Sequence, residues 1–241
     1  REKRYEVYNE KTQRSIKKKY YPFVDNVEFQ KDFVTNSYHG GRNEQFIFGI
    51  TWKDEWSDWD LTSAYPTAMS MIGDVSWEKS IWSYSQDSYK KLSMEDIGFY
   101  QVDFEFPSDV RYPCLPVRTP SGIIFPIKGR SICGLQEVKL ADNLKAKITV
   151  IQSVLVPSNR KRKIFEKFAK ECIKERKYAE DSIGKDSLEK HFWKEMSNST
   201  YGKTAQGLRR RMIYDLKLNN VKALDYSKIT HPFFASFITS F

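Results

Sequence analysis

The strongest constraint on this chain lies between residues 165 and 201. Phe165, Phe168, Ala169, Cys172 and Ile173 recur at i, i+3, i+4, i+7 and i+8, which places them on one face of a helix. A break follows at Ser182-Ile183-Gly184. A second helix is expected from about 186 to 201, with Leu188, Phe192, Trp193 and Met196 on its apolar side. Two long helices around so short a break form an antiparallel hairpin. Gly202 is a residue able to stop the second helix.

Elsewhere the period changes. Residues 100–106 read Tyr-Gln-Val-Asp-Phe-Glu-Phe, apolar and polar by turns, which is a half-buried strand. Segments 115–118 and 123–127 flank Pro120-Ser121-Gly122 and read as a hairpin. Leu135, Val138, Ala141 and Leu144 mark a helix, and 148–156 a strand stopped by Pro157. Upstream, Tyr38-His39-Gly40-Gly41 is a turn, because paired glycines admit positive φ. Strands are expected over 46–51 and 59–62. Ser63 then has the chemistry of an N-cap, and Pro66 is tolerated in the first turn of a short helix running on to Gly73. Residues 1–36 read as an extended lead-in with some helix, 212–216 as a strand, and 232 to the end as a helix. The expected class is mixed α+β.

Composition sets the outer limits. With 40% hydrophobic residues in 241, the chain can build a core, which excludes wholesale disorder. No apolar run approaches 18 residues, which excludes a membrane-spanning helix. Cys114, Cys133 and Cys172 are scattered and odd in number, so a disulfide scaffold is not expected and an intracellular setting is. With no C-x-x-C pair and only His39, His191 and His231, zinc has little to bind. The net charge is +9, with basic clusters at 14–19, 160–163, 174–177 and 209–211 and aromatics among them. That mixture suits a polyanion such as nucleic acid, although each cluster alone reads first as solvated charge on a helix.

Two groups of residues carry candidate chemistry. Lys194, Asn198 and Tyr201 stand at i, i+4 and i+7 and share a helix face. The cation at one end can meet a triphosphate and the phenol at the other a base pair; spacing alone favours a wet helix face over a site. Arg176 and Lys177, across the hairpin, can approach the same side. Asp60 ends the strand that feeds the helix at Pro66, where a carboxylate facing a cleft can bind Mg²⁺. By itself it reads first as a turn residue accepting backbone N–H bonds.

Taken together, these segments resemble a known family. Asp60-Leu61-Thr62-Ser63-Ala64-Tyr65-Pro66 is similar to motif A of family B DNA polymerases, Asp-x-x-Ser-Leu-Tyr-Pro, with Ala64 where the family usually has Leu. The run from Lys194 through Asn198, Ser199, Tyr201 and Gly202 to Lys203 matches motif B, Lys-x-x-x-Asn-Ser-x-Tyr-Gly. Tyr38-His39-Gly40-Gly41 matches the Tyr-x-Gly-Gly motif of protein-primed members. The three occur in the family's order, over a region from about residue 35 to the end.

The resemblance implies a right-hand polymerase of the protein-primed or primer-independent type. Residues 1–36 would be a lead-in, 37–161 and 202–241 the palm with a largely antiparallel sheet, and 162–201 the fingers hairpin. Asp60 would be the catalytic carboxylate binding two Mg²⁺ ions, for which Mn²⁺ can substitute, helped by the Leu61 carbonyl. Ser63, Ala64, Tyr65, Arg176, Lys194, Asn198 and Tyr201 would bind the incoming nucleotide, with Tyr65 as a steric gate against a 2′-OH. Tyr38, Gly40, Gly41, Gly202 and Lys203 would contact DNA. Implied partners are template and primer DNA, dNTPs, a priming protein in some members, and the remainder of a polymerase chain, but no membrane. The location would be intracellular, cytoplasmic in a bacterium or its phage. The family's motif C, Tyr-x-Asp-Thr-Asp-Ser, has no match here. The chain is therefore expected to be a piece of a longer polymerase and not to extend a primer alone. The competing class is a non-catalytic nucleic-acid-binding module derived from such an enzyme.

Overall fold

The computed structural model describes residues 3–9, 13–20, 25–44, 48–50, 57, 61, 63–208, 212–223 and 230–241. A hairpin, β1 (Lys3–Asn9) and β2 (Arg14–Tyr20), precedes α1 (Asp25–Asn36). Then come α2 (Ala64–Ser70), β3 (Gly73–Val75), β4 (Ile81–Ser83), the one-turn α3 (Ser88–Lys91) and β5 (Ile97–Glu105). The hairpin β6 (Val117–Thr119) and β7 (Gly122–Ile124) leads to β8 (Lys128–Gly134), α4 (Leu135–Asn143), β9 (Lys147–Val156) and β10 (Ser158–Lys163). Two long helices follow, α5 (Glu166–Ser182) and α6 (Leu188–Ala205). A hairpin, β11 (Met212–Asp215) and β12 (Asn220–Ala223), and α7 (Pro232–Ser240) complete the order.

The main sheet is antiparallel, in the order β4-β9-β5-β8. Its central strand shows why the alternation matters. Tyr100, Val102 and Phe104 point into a core shared with Phe106, Leu115, Cys133 and the inward face of α4, Leu135, Val138 and Ala141. Gln101, Asp103 and Glu105 point the other way and are satisfied across the sheet. Gln101 accepts from Gln152 at 2.7 Å, Asp103 takes a bidentate pair from Arg130 at 2.7 and 2.9 Å, and Glu105 meets Lys128 at 3.2 Å. Near the start of the strand the opposite face is covered too. Ile97 and Phe99 join Val154 and Val156 in a second core with Val27 and Val34 of α1, Ala68 and Met69 of α2, and Phe233, Phe237 and Ile238 of α7.

The helical pair forms as expected, with Lys190 at the start of α6 bonded to Glu180 near the end of α5 at 3.1 Å. Two expectations fail here. Gly202 does not stop the second helix, which runs on to Ala205 with Gln206 as its cap. Nor does the whole apolar side of α6 face inward: Leu188 is 81% exposed and Phe192 52%, Trp193 and Met196 are half-buried, and the buried residues of the helix are Ser197 and Thr204. The inward hydroxyls are satisfied within the helix, Ser197 donating to Lys194 O at 2.9 Å and Thr204 to Tyr201 O at 2.7 Å. Short side chains bonded to their own backbone let a helix pack closely without an apolar surface.

Other departures are local. The helix opened after Ser63 ends at Ser70, with Met71 as its cap, short of Gly73. The basic run at 160–163 lies in a strand, β10, paired with β3. Its cations meet acids distant in sequence, Arg160 with Asp96 at 3.6 Å, Arg162 with Asp74 at 3.2 Å and Lys163 with Glu95. Of the strands expected over 46–51 and 59–62, only residues 48–50 and 61 are described, and these are not in strands. The basic run at 209–211 lies outside the described residues.

Both ends of the helical pair converge on the start of α7. Phe165, the residue that opens α5, packs edge-on against Phe234 at 5.4 Å. Just before the close of α6, Thr204 O accepts from the His231 N–H at 2.8 Å. His231 caps α7, its Nδ1 accepting from Phe234 N–H at 3.4 Å, and its ring stacks on Phe234 at 3.9 Å. Burial pulls the imidazole pKa down to about 4. The acceptor role of Nδ1 and the low pKa agree: the ring is neutral.

Candidate nucleotide and nucleic-acid site

The short helix α2 packs against α5, α6 and α7, and so stands where the two long helices meet the sheet domain. Ser63, at its N-cap position, adopts the left-handed region, φ 57° and ψ 37°, which is uncommon for a residue with a Cβ. Its hydroxyl does not cap the helix, contrary to the sequence expectation, and instead accepts from Arg176 Nη1 of α5 at 3.4 Å. The backbone turn thus turns the hydroxyl towards the helical pair.

One turn on, Tyr65 stacks on Tyr201 of α6, with ring centroids 4.3 Å apart and planes at 14°. The Tyr201 hydroxyl lies 3.3 Å from that of Tyr38. Burial, the Tyr38 hydroxyl bond and the neighbouring phenols all raise the Tyr201 pKa above its ordinary value, so the phenol is neutral at any physiological pH. Gly41 lies beneath Tyr65, where an added Cβ would sit 3.0 Å from the Tyr65 hydroxyl.

The segment 38–41 is held rigidly from below. Arg118 of β6 donates to Tyr38 O at 3.0 Å and stands 3.3 Å from His39 Nδ1; His39 Nε2 stands 2.7 Å from Ile132 O. These partners assign the tautomer: Nε2 carries the proton and donates to the carbonyl, leaving Nδ1 to accept from the guanidinium. Gly40 has φ +77°, as expected of the paired glycines. Nothing in the sequence marked Arg118 as the residue that fixes this strap, because the contact spans the fold.

The predicted residues fall into three sets. Tyr38, Gly41, Ser63, Tyr65, Arg176 and Tyr201 come together, with Gly40 and Ala64 beside them. Lys194 is exposed and Asn198 half-buried on α6, two turns and one turn before Tyr201, roughly 10 Å and 5 Å along the axis at 1.5 Å per residue. Gly202 and Lys203 are exposed in its last turn, where Lys203 Nζ donates to Gln206 at 3.0 Å. Leu61 is 78% exposed. Asp60, with Thr62, lies outside the described residues; among the described ones no group of three or more His, Cys, Asp or Glu is placed to hold a metal.

Residues 4–236 match the family "DNA polymerase type B, organellar and viral", and the chain belongs to that family. It is 37% identical over 227 residues to the primer-independent DNA polymerase PolB of Escherichia coli, an alignment covering 90% of this chain and 25% of that protein. The chain thus spans about a quarter of the length of this curated relative. Among solved structures it is similar to Phi29 DNA polymerase in its orthorhombic crystal form, TM-score 0.52 at 15% identity, over 92% of this chain and 40% of that one. The Phi29 ternary complex with primer-template DNA and incoming nucleotide gives TM-score 0.51 at 13% identity, with the same coverage. At such identities the likeness concerns the fold, and it agrees with the α+β class read from the sequence. No helix among the described residues is long and apolar enough to cross a membrane.

Proposed function

We propose that this chain supplies the palm and fingers of a DNA-directed DNA polymerase, an enzyme that transfers dNMP from a dNTP to a 3′-OH under template direction and releases pyrophosphate. The palm comprises 37–161 and 202–241 and the fingers 162–201. One observation carries the reading: the strap at 38–41, the start of α2 and the last turns of α6 each supply an aromatic or a glycine to a single point, where Tyr38, Gly41, Tyr65 and Tyr201 meet. Three segments far apart in the sequence converge there.

In this reading Tyr65 lies under the deoxyribose and Tyr201, with Asn198, lines the nascent base pair. Lys194 and Arg176 carry charge to the triphosphate from the two finger helices. Tyr38 and the glycines hold the template, and Gly202 and Lys203 lie at the DNA edge of α6. The metal is Mg²⁺, with Mn²⁺ able to replace it. Asp60 and the Leu61 carbonyl are hard oxygen donors of the kind Mg²⁺ prefers, and the ion would supply charge neutralisation at the transferring phosphate. Partners are primer-template DNA, dNTPs and, where priming demands it, a priming protein. The enzyme would work inside the cell, in the cytoplasm of a bacterium or phage host.

The test is template-directed primer extension with Mg²⁺ and four dNTPs, by the polymerase that carries this chain. Extension lost in Asp60→Ala and retained in a surface variant supports the reading. DNA binding without extension overturns it in favour of a binding module, and extension indifferent to Asp60→Ala overturns Asp60 as the catalytic carboxylate.

A further inference from the structure

Beside the strap at 38–41 the surface opens into two adjoining hollows. One, of about 240 Å³, is bordered by His39, Gly40, Arg42, Phe125, Glu137 and Thr239. The other, of about 260 Å³, is bordered by Asn43, Glu44, Ile124 and Pro126. Asn43, Ile123 and Phe125 line both, so the Phe125 ring stands on the partition. Each hollow is below the range of roughly 300–1,000 Å³ that holds a drug-sized ligand, and suits a single ring system.

The partition is a built platform. The Arg42 guanidinium lies 4.0 Å from the Phe125 ring centroid. Its Nη1 donates to Pro113 O at 2.8 Å and its Nε to the Glu44 carboxylate at 2.7 Å, so the plane is fixed and the neighbouring acid neutralised. The first hollow meets both members of this stack; the second meets Phe125 without Arg42. The wall at Gly40 is bare backbone, with open space where a Cβ would be. At the far side of the first hollow, Glu137 and Thr239 complete the wall, their polar groups engaged within the fold: the Glu137 carboxyl accepts from the Gly134 N–H at 2.7 Å and the Thr239 hydroxyl donates to Ala235 O at 3.0 Å.

We propose that the two hollows receive two successive unpaired bases of a single DNA strand, one against the Arg42 guanidinium that covers a face of Phe125 and the other against the Phe125 ring from the second hollow, with the Arg42–Phe125 stack as their platform. The proposal rests on the reading of the chain as part of a DNA polymerase; its platform, Arg42 and Phe125, belongs to none of the three motifs, although His39, Gly40 and Gly41 border the first hollow. Flat aromatic and guanidinium surfaces bind bases by their faces, which a duplex keeps stacked and a single strand leaves available. Since every base has such a face, the site is tolerant of sequence. It places the unpaired strand directly against the strap that leads to Tyr38 and Tyr65.

The experiment measures binding of the intact polymerase to a single-stranded oligodeoxynucleotide carrying 2-aminopurine, by anisotropy for affinity and by fluorescence for stacking. Phe125→Ala should weaken single-strand binding about tenfold, the order expected when a stacking aromatic is truncated. It should also remove the quenching, while a duplex of equal length binds as before. Phe125→Trp should keep both affinity and quenching, which separates loss of stacking from loss of fold. Equal single-strand affinity in Phe125→Ala, or quenching that persists in it, overturns the proposal. Primer extension on the same variants reports separately on the polymerase reading. A protein that stacks the strand on Phe125 yet adds no nucleotide would sink that reading and leave this site standing.

Discussion

The ring of Tyr65, in the first turn of α2, lies flat against that of Tyr201 in α6, their centroids 4.3 Å apart. This stack holds the Tyr65 hydroxyl over Gly41, with room for a hydrogen atom there and little more. The floor under the proposed sugar gate is therefore a backbone with no side chain.

Gly41→Ala follows from that contact. Gly41 does not have positive φ, so its backbone accepts alanine, but the new methyl would stand 3.0 Å from the Tyr65 hydroxyl. Tyr65 must give by a few tenths of an ångström. We expect Gly41→Ala to raise the ratio of ribo- to deoxynucleotide incorporation, less than Tyr65→Val does, with little change in melting temperature. A ratio equal to the parent's in both variants would remove Tyr65 from the gate.

Lys194→Ala should weaken dNTP binding and spare DNA binding. Its ammonium is exposed on α6, free to reach a phosphate. A hydrogen bond to a charged group is worth roughly 1.5–3 kcal/mol, on the order of a ten- to hundredfold rise in nucleotide KM. Arg176→Ala should show the same sign, since Arg176 already reaches Ser63 at the head of α2. Unchanged steady-state constants in both variants would mark the stripe as solvated surface.

The inverted polarity of α6 makes a prediction that runs against hydropathy. Leu188→Gln and Phe192→Gln alter exposed side chains and should each change stability by no more than about 0.5 kcal/mol. Ser197→Leu adds bulk to a buried, closely packed position and should cost roughly 1–3 kcal/mol. Urea denaturation of the three variants decides the matter; a costly Phe192→Gln beside a harmless Ser197→Leu would show that α6 is rotated from the orientation described.

Two buried groups give stability opposite slopes in acid. Burial lowers His231 from 6.5 to about 4. The unfolded chain thus binds the extra proton first, and stability falls as pH drops from about 6.5 towards 4. Burial raises Glu137 from 4.5 to about 7, against the pull of the Gly134 N–H and Ser240 hydroxyl bonds. Here the unfolded chain ionises first, so stability falls as pH rises from about 4.5 to 7. Denaturation midpoints across pH 4–7.5 should lose the acid-side decline in His231→Asn, which keeps a capping acceptor, and lose the neutral-side decline in Glu137→Gln. Parallel profiles for parent and variants would mean that neither group is buried as described.

What could be read from the residues was what obeys a period or a motif. The two-residue alternation at 100–106 placed Tyr100, Val102 and Phe104 in one core because a pleated strand leaves no other option. The apolar rhythm of α5 held for Phe165 and Phe168, which pack on the core, and for Ala169 and Cys172, which are buried, but not for Ile173, which is exposed. Tyr38, Tyr65 and Tyr201 were legible as a set through motif resemblance; helical spacing alone left Tyr201 undecided. The inward face of α6 was not legible, because hydroxyls bonded to their own helix bury at little cost and hydropathy scores them as surface. Strand β10 was hidden because its cations find acids at positions 74, 95 and 96, which no local pattern records. Arg118 and the Arg42–Phe125 stack are products of tertiary structure entirely.

The convergence of the two long helices, α5 and α6, on the start of α7 has a mechanical meaning. With Phe165 against Phe234 and Thr204 O on His231 N–H, the two helices share one short footing and project from it as a lever arm. At 1.5 Å per residue α5 is about 25 Å long. A tilt of about 10° at the footing would sweep the tip, near Gly184, through roughly 4 Å, while Tyr201, close to the fulcrum, would travel less than 1 Å. Coarse motion at the far end thus becomes fine adjustment where Tyr65 and Tyr201 touch.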